Sequence, residues 1–161
     1  MHLNYLFGIA IIPLIIGFVW YNPKVFGNVW LASIGKTEEE MRAKGGNMFV
    51  IFGCTYLFSL LYAAVLLSLC VHQMGAYGMI GGSPTAETLP SFQAFINDYG
   101  TAFRTFKHGA FHGTLAGLFL SFFFVGIPAL FEQKGWKFIL VHVGYFTLCS
   151  IIMGALICQF I

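Results

Sequence analysis

Charge is what this chain lacks. Its 161 residues include six Asp or Glu and eight Lys or Arg, 9% in all, against about 25% in ordinary soluble domains. A fold that lives in water needs a charged surface, and this composition cannot supply one. A soluble globular enzyme is therefore excluded. With 58% hydrophobic residues the chain is no disordered segment either. A net charge of +2 gives no basic patch for nucleic acid, so no nucleic-acid partner is expected. Familiar catalytic signatures are missing too: there is no P-loop, no Ser–His–acid grouping and no zincin motif. No catalytic residue is nominated.

What the sequence has instead is length without charge. Four runs contain no Asp, Glu, Lys or Arg: Leu3–Trp20, Met48–Val71, Gly109–Phe131 and Phe138–Ile161. Each is close to, or beyond, the roughly 18–20 residues a helix needs to cross a ~30 Å hydrocarbon core. Barrel strands would alternate polar and apolar over about ten residues, and these runs do not. The expectation is an all-α membrane protein. Its single domain, residues 1–161, is four transmembrane helices in a bundle, with spans near 3–20, 48–71, 109–131 and 138–161. The bilayer itself is the first partner. The opening run has no Lys or Arg before it and no small-residue cleavage site after it, so it reads as a permanent helix, kinked near Pro13.

Basic residues set the expected orientation. Lys24, Lys36, Arg42 and Lys44 in residues 21–47, with Lys134 and Lys137 in residues 132–137, make six on one side; Arg104 and Lys107 make two on the other. The positive-inside bias puts the six in the cytoplasm. Both termini and the long second connection, from His72 to about Lys107, then lie outside.

The first connection opens Trp20-Tyr21-Asn22-Pro23 and continues Phe26-Gly27-x-x-Trp30. Rings of this kind collect where bilayer meets water, and Phe26, Val29, Trp30 and Ile34 repeat at helical spacing, so a short interfacial helix is expected. Thr37-Glu38-Glu39-Glu40 reads as a capping box that starts another helix, ended by Gly45-Gly46. In the second connection Gly75–Gly82, with four glycines, reads as loop. Pro90-Ser91 starts a helix with Phe92, Phe95, Ile96 and Tyr99 on its apolar side.

The pattern Trp20-Tyr21-x-Pro23-x-x-Phe26-Gly27-x-x-Trp30, followed by Gly35-x-Thr37-Glu38-Glu39, resembles a family of small four-span bacterial membrane proteins classed only as a domain of unknown function. Gly144-Tyr145 and Met153-Gly154 in the last run match that family's pattern as well. The resemblance implies a fold and a location, the bacterial inner membrane. It supplies no activity.

Two constellations carry possible function. Gly109, Gly113 and Gly117 continue at the same spacing to Ser121, a flat ridge along one helix. Ser150, Gly154 and Cys158 offer a matching ridge, and Ser59 with Ala63 or Ala64 with Ser68 offer shorter ones. Small residues at this spacing let helices approach closely. They point to a non-catalytic packing module: a homo-oligomer, or a small subunit of a membrane complex.

Histidine gives the alternative. His108 and His112 are four apart and share a helix face, with Arg104 extending the row. His72 and His2 fall near the same membrane face. An i, i+4 imidazole pair can chelate one ion, so His108, His112 and His72 are candidate ligands for a transition metal or a haem. A quinone or a lipid headgroup would also suit such a His/Arg cluster. Asp98 is the nearest acid in the loop that could join. His142 lies at the opposite face, on the order of 20 Å away in depth, and reads as a buried hydrogen-bonding group. Cys54, Cys70, Cys149 and Cys158 all fall in apolar runs and read as free packing thiols, although Cys70 and Cys158 share a leaflet and could pair.

Overall fold

The computed structural model describes residues 2–161; Met1, the first residue of the expected domain, lies outside them. Among the described residues all regular structure is helical. The helices are α1 (Tyr5–Ile9), α2 (Ile12–Trp20), α3 (Asn28–Ser33), α4 (Glu38–Lys44), α5 (Met48–Cys70), α6 (Gln73–Met79), α7 (Pro90–Tyr99), α8 (Phe106–Leu115), α9 (Ile127–Phe131) and α10 (Trp136–Phe160). α8 and α9 belong to one continuous helical stretch, Phe106–Phe131, whose middle widens into two π-turns, Ala116–Leu120 and Phe122–Gly126.

Among the described residues three stretches are long and apolar enough to cross a membrane: Met48–Cys70, Phe106–Phe131 and Trp136–Phe160. A fourth exists only if Tyr5–Trp20 and Pro23–Ser33, bent by 59° at their junction, count as one span. The kink expected near Pro13 is a break between two short helices, Tyr5–Ile9 and Ile12–Trp20. Pro13 has no N–H to return to Ile9, and the helix breaks at Ala10–Ile11. The third span begins at Phe106, three residues before the apolar run, because Thr105 caps it: its hydroxyl accepts the His108 N–H at 3.2 Å.

α10 is the element around which the others pack, with α8, α5, α2, α1 and α3 all against it. The core they share is Ala63, Leu66 and Cys70 from α5, Val71 beyond it, and Met153, Ile157 and Cys158 from α10, all fully buried. Outward faces carry Phe49, Phe58, Phe119, Phe123, Phe124 and Phe131 exposed, which suits contact with lipid.

The Trp20–Trp30 motif does more than rest at an interface. Trp20 Nε1 donates to Val141 O at 3.1 Å, and its ring packs so close to Gly144 that an added Cβ would lie 2.9 Å from the indole. The Tyr21 hydroxyl hydrogen-bonds His142 Nδ1 at 3.0 Å, with the Trp30 ring edge-on to Tyr21 at 5.2 Å. A π-turn over Pro23–Gly27 makes this reversal, and only glycine fits at Gly27, since a Cβ would fall 2.8 Å from the Asn22 carbonyl carbon. Tyr145 adds a bond from its hydroxyl to Pro13 O at 2.8 Å. The motif therefore docks the bent first segment onto α10. The Thr37–Glu40 capping box forms, and α4 ends at Lys44. Gly75–Gly82 differs from expectation: Gln73–Met79 is helical, and only the part beyond it is loop.

Candidate metal centre

The site is built from the glycine ridge outward. A Cβ on Gly109 would lie 2.5 Å from Cys158 Cβ, one on Gly113 would lie 3.0 Å from Ile151 Cα and closer still to Ser150 O, and one on Gly117 would lie 2.7 Å from Thr147 Cα. From the other side, a Cβ on Gly154 would meet Gly113 Cα at 3.2 Å. Here α8 and α10 touch backbone to backbone. Ser150 and Ser121 are buried too. The ridge of this chain faces α10 of the same chain, so it is not free to hold a second copy. On α5 the pair Ser59 and Ala63 is buried, whereas Ala64 and Ser68 are exposed.

Successive helical residues stand about 100° apart around the axis. With Gly109 and Gly113 against α10, His108 and His112 turn toward the end of α5. There Val71 leaves the helix in an extended conformation, and His72 follows at the start of α6. The three imidazoles meet. His108 Nε2 lies 3.0 Å from His72 Nε2, and the ring centroids of His72, His108 and His112 stand 4.5–4.9 Å apart. One ligand nitrogen from each lies within 4.8 Å of the others. A tetrahedral ion with bonds of about 2.0–2.1 Å needs nitrogens about 3.3 Å apart.

Neighbours hold this arrangement. Gln73, only 6% exposed, donates from Nε2 to Tyr99 O at 2.8 Å and Ala102 O at 2.9 Å, tying the returning loop beside His72. Cys158 Sγ donates to Phe103 O at 3.2 Å. Phe103 has φ +61°, a left-handed conformation costly for a bulky residue. It brings the ring into a stack on His108, centroids 5.0 Å apart. Neither Gln73 nor Phe103 is marked by a motif. A lone amide just past an apolar run was the one available signal for Gln73.

Other sequence candidates are placed elsewhere. Arg104 does not extend the histidine row: its Nε donates to Cys158 O at 3.0 Å, capping the end of α10. His2 packs edge-on against Tyr5, apart from the cluster. Asp98 does not join, and the cluster that gathers is all histidine. His142 bonds Tyr21. The four cysteines are free; Cys158 Sγ approaches Cys70 O at 3.7 Å without a disulfide.

Three neutral imidazoles converging on one point suit a bare borderline ion such as Zn²⁺ or Cu²⁺. They suit haem poorly, because the porphyrin's own nitrogens fill the equatorial positions and a third imidazole this close to two axial ligands would occupy its plane.

This chain belongs to the family described as protein of unknown function (DUF1761), whose model matches residues 5–158. No curated protein and no solved structure matches it.

Proposed function

We propose that this protein is a four-span membrane protein that binds one first-row transition-metal ion at a membrane face, through His72, His108 and His112. The observation that carries the reading is the convergence of three imidazole nitrogens, from two separate elements, within 4.8 Å. An i, i+4 pair alone arises easily on any helix. A third histidine from 36 residues away, in hydrogen-bonding range of the first, does not.

The rest of the reading rests on sequence. The six-to-two distribution of Lys and Arg favours the histidines on the non-cytoplasmic face, and the family resemblance favours the bacterial inner membrane. A packing role remains the second reading. With the glycine ridge taken up by α10, self-association or a complex partner would have to use the Phe-rich outer faces, which lipid also satisfies.

The test is elemental analysis of protein purified without a His-tag or chelating resin. About one ion per chain is expected in the parent, and His72→Ala, His108→Ala and His112→Ala should each lose it, since two imidazoles hold an ion far less well than three. Less than about a tenth of an equivalent after incubation with zinc would reject the reading.

A further inference from the structure

The three histidines leave a divalent ion with an open coordination position and both its charges uncompensated. We infer that a phosphate oxygen of an anionic phospholipid headgroup takes that position, so that the ion joins the protein to the membrane surface. The inference rests on the metal-binding reading above.

The donor set comes first. Neutral imidazoles contribute no charge, and no carboxylate belongs to the cluster. The charged side chains nearest in sequence are Arg104 and Lys107, both positive. Arg104 is committed to Cys158 O through Nε, while Lys107 is exposed. The one ion pair among the described residues, Arg42 with Glu38, is on the first connection. The cluster therefore offers a divalent ion no compensating charge, which favours an anion from outside the chain at the open position.

The surroundings say which kind. Phe103 stacks on His108 and stands edge-on to His72, and Phe111 stands edge-on to His112. These rings are 66% and 58% exposed. Exposed rings around a polar cluster, on the first two turns of a membrane-spanning stretch, describe the headgroup–acyl boundary. His72 is itself exposed, so the open position faces outward rather than into the helices. At that depth the abundant hard anion is the lipid phosphodiester, and the exposed Lys107, next to His108 in the chain, is a cation available to its second oxygen.

Pulsed electron paramagnetic resonance on the full chain loaded with Cu²⁺ tests this. The samples are nanodiscs of phosphatidylglycerol, phosphate-free maltoside micelles, and the same micelles with inorganic phosphate. Imidazole ¹⁴N couplings should appear in all three, and a ³¹P coupling in the nanodiscs. That ³¹P coupling supports the inference whatever the phosphate micelles show, and Lys107→Gln should weaken it while leaving ¹⁴N intact. ¹⁴N without ³¹P in nanodiscs overturns the lipid ligand and leaves the metal site standing. ³¹P only with inorganic phosphate also overturns it, in favour of a free anion. No bound Cu²⁺ in any sample overturns both readings.

Discussion

Gly113→Ala adds one methyl where α8 meets α10. The new Cβ would sit 3.0 Å from Ile151 Cα and nearer still to Ser150 O, both backbone atoms that cannot rotate aside. Restoring ordinary contact requires the helices to part by roughly 1 Å, and a gap of 0.5–1 Å forfeits about a quarter to a half of each dispersion contact across it. Overpacking of this kind costs about 1–3 kcal/mol. Alanine returns up to about 1 kcal/mol through helix propensity, a gain that the control below shares, so the difference between the two variants is the overpacking cost itself, about 1–3 kcal/mol. At about 2–4 °C per kcal/mol for a domain this size, Gly113→Ala should melt roughly 2–12 °C below the control. Gly53→Ala is the control: nothing lies within 4 Å of its Cβ, so it should match or exceed the parent. The same movement carries His108 and His112 away from His72, and metal affinity should drop about tenfold or more, as it does when a ligand's support is removed. Thermal melting in detergent and metal titration on the two variants give both readouts. Equal melting of Gly113→Ala and Gly53→Ala would refute the argument.

Two further outcomes follow from the site and from the opposite face. Metal binding requires neutral imidazoles, so protons compete with the ion; affinity should be full where the imidazoles are neutral and fall as acid protonates them, read by isothermal titration with proton release across a pH series. Tyr21→Phe removes the bond to His142 and should cost about 1 kcal/mol of stability by melting, with metal affinity unchanged, because that contact lies at the other end of α10. A change in metal affinity would mean the two ends are coupled.

Much of the layout was legible in the residues, because a bilayer reads composition directly. Runs without charge become helices wherever they are long enough, and Met48–Cys70 and Trp136–Phe160 follow the apolar runs almost to the residue. Thr37 and Glu40 announce their cap through side-chain chemistry that needs no tertiary context. In the first span the missing N–H at Pro13 marks the break in advance, whereas the continuation through a 59° bend into Pro23–Ser33 has no signature in hydropathy. Trp20 and Tyr21 look like interface anchors one at a time. That they reach Val141 O and His142 depends on a bend no local pattern specifies. Arg104 was misplaced for a related reason. Helical spacing puts it in line with His108, but Thr105 starts the helix after it, and Arg104 turns to the last carbonyls of α10 instead.

The site's position also bears on what kind of activity it can have. An ion carried across the membrane needs polar groups with unsatisfied valences along a path. The spans carry no acid or base at mid-depth, and several of their hydroxyls are bonded close at hand. Ser59 donates to Thr55 O, Thr114 to Ala110 O, and Tyr62 and Ser150 meet at 2.7 Å. The buried Thr147 hydroxyl has no partner, and it faces a groove otherwise lined by apolar side chains. On the proposed reading His72, His108 and His112 would hold an ion at one end of the helix pair, positioned by a contact between α8 and α10 with no room for a single added methyl.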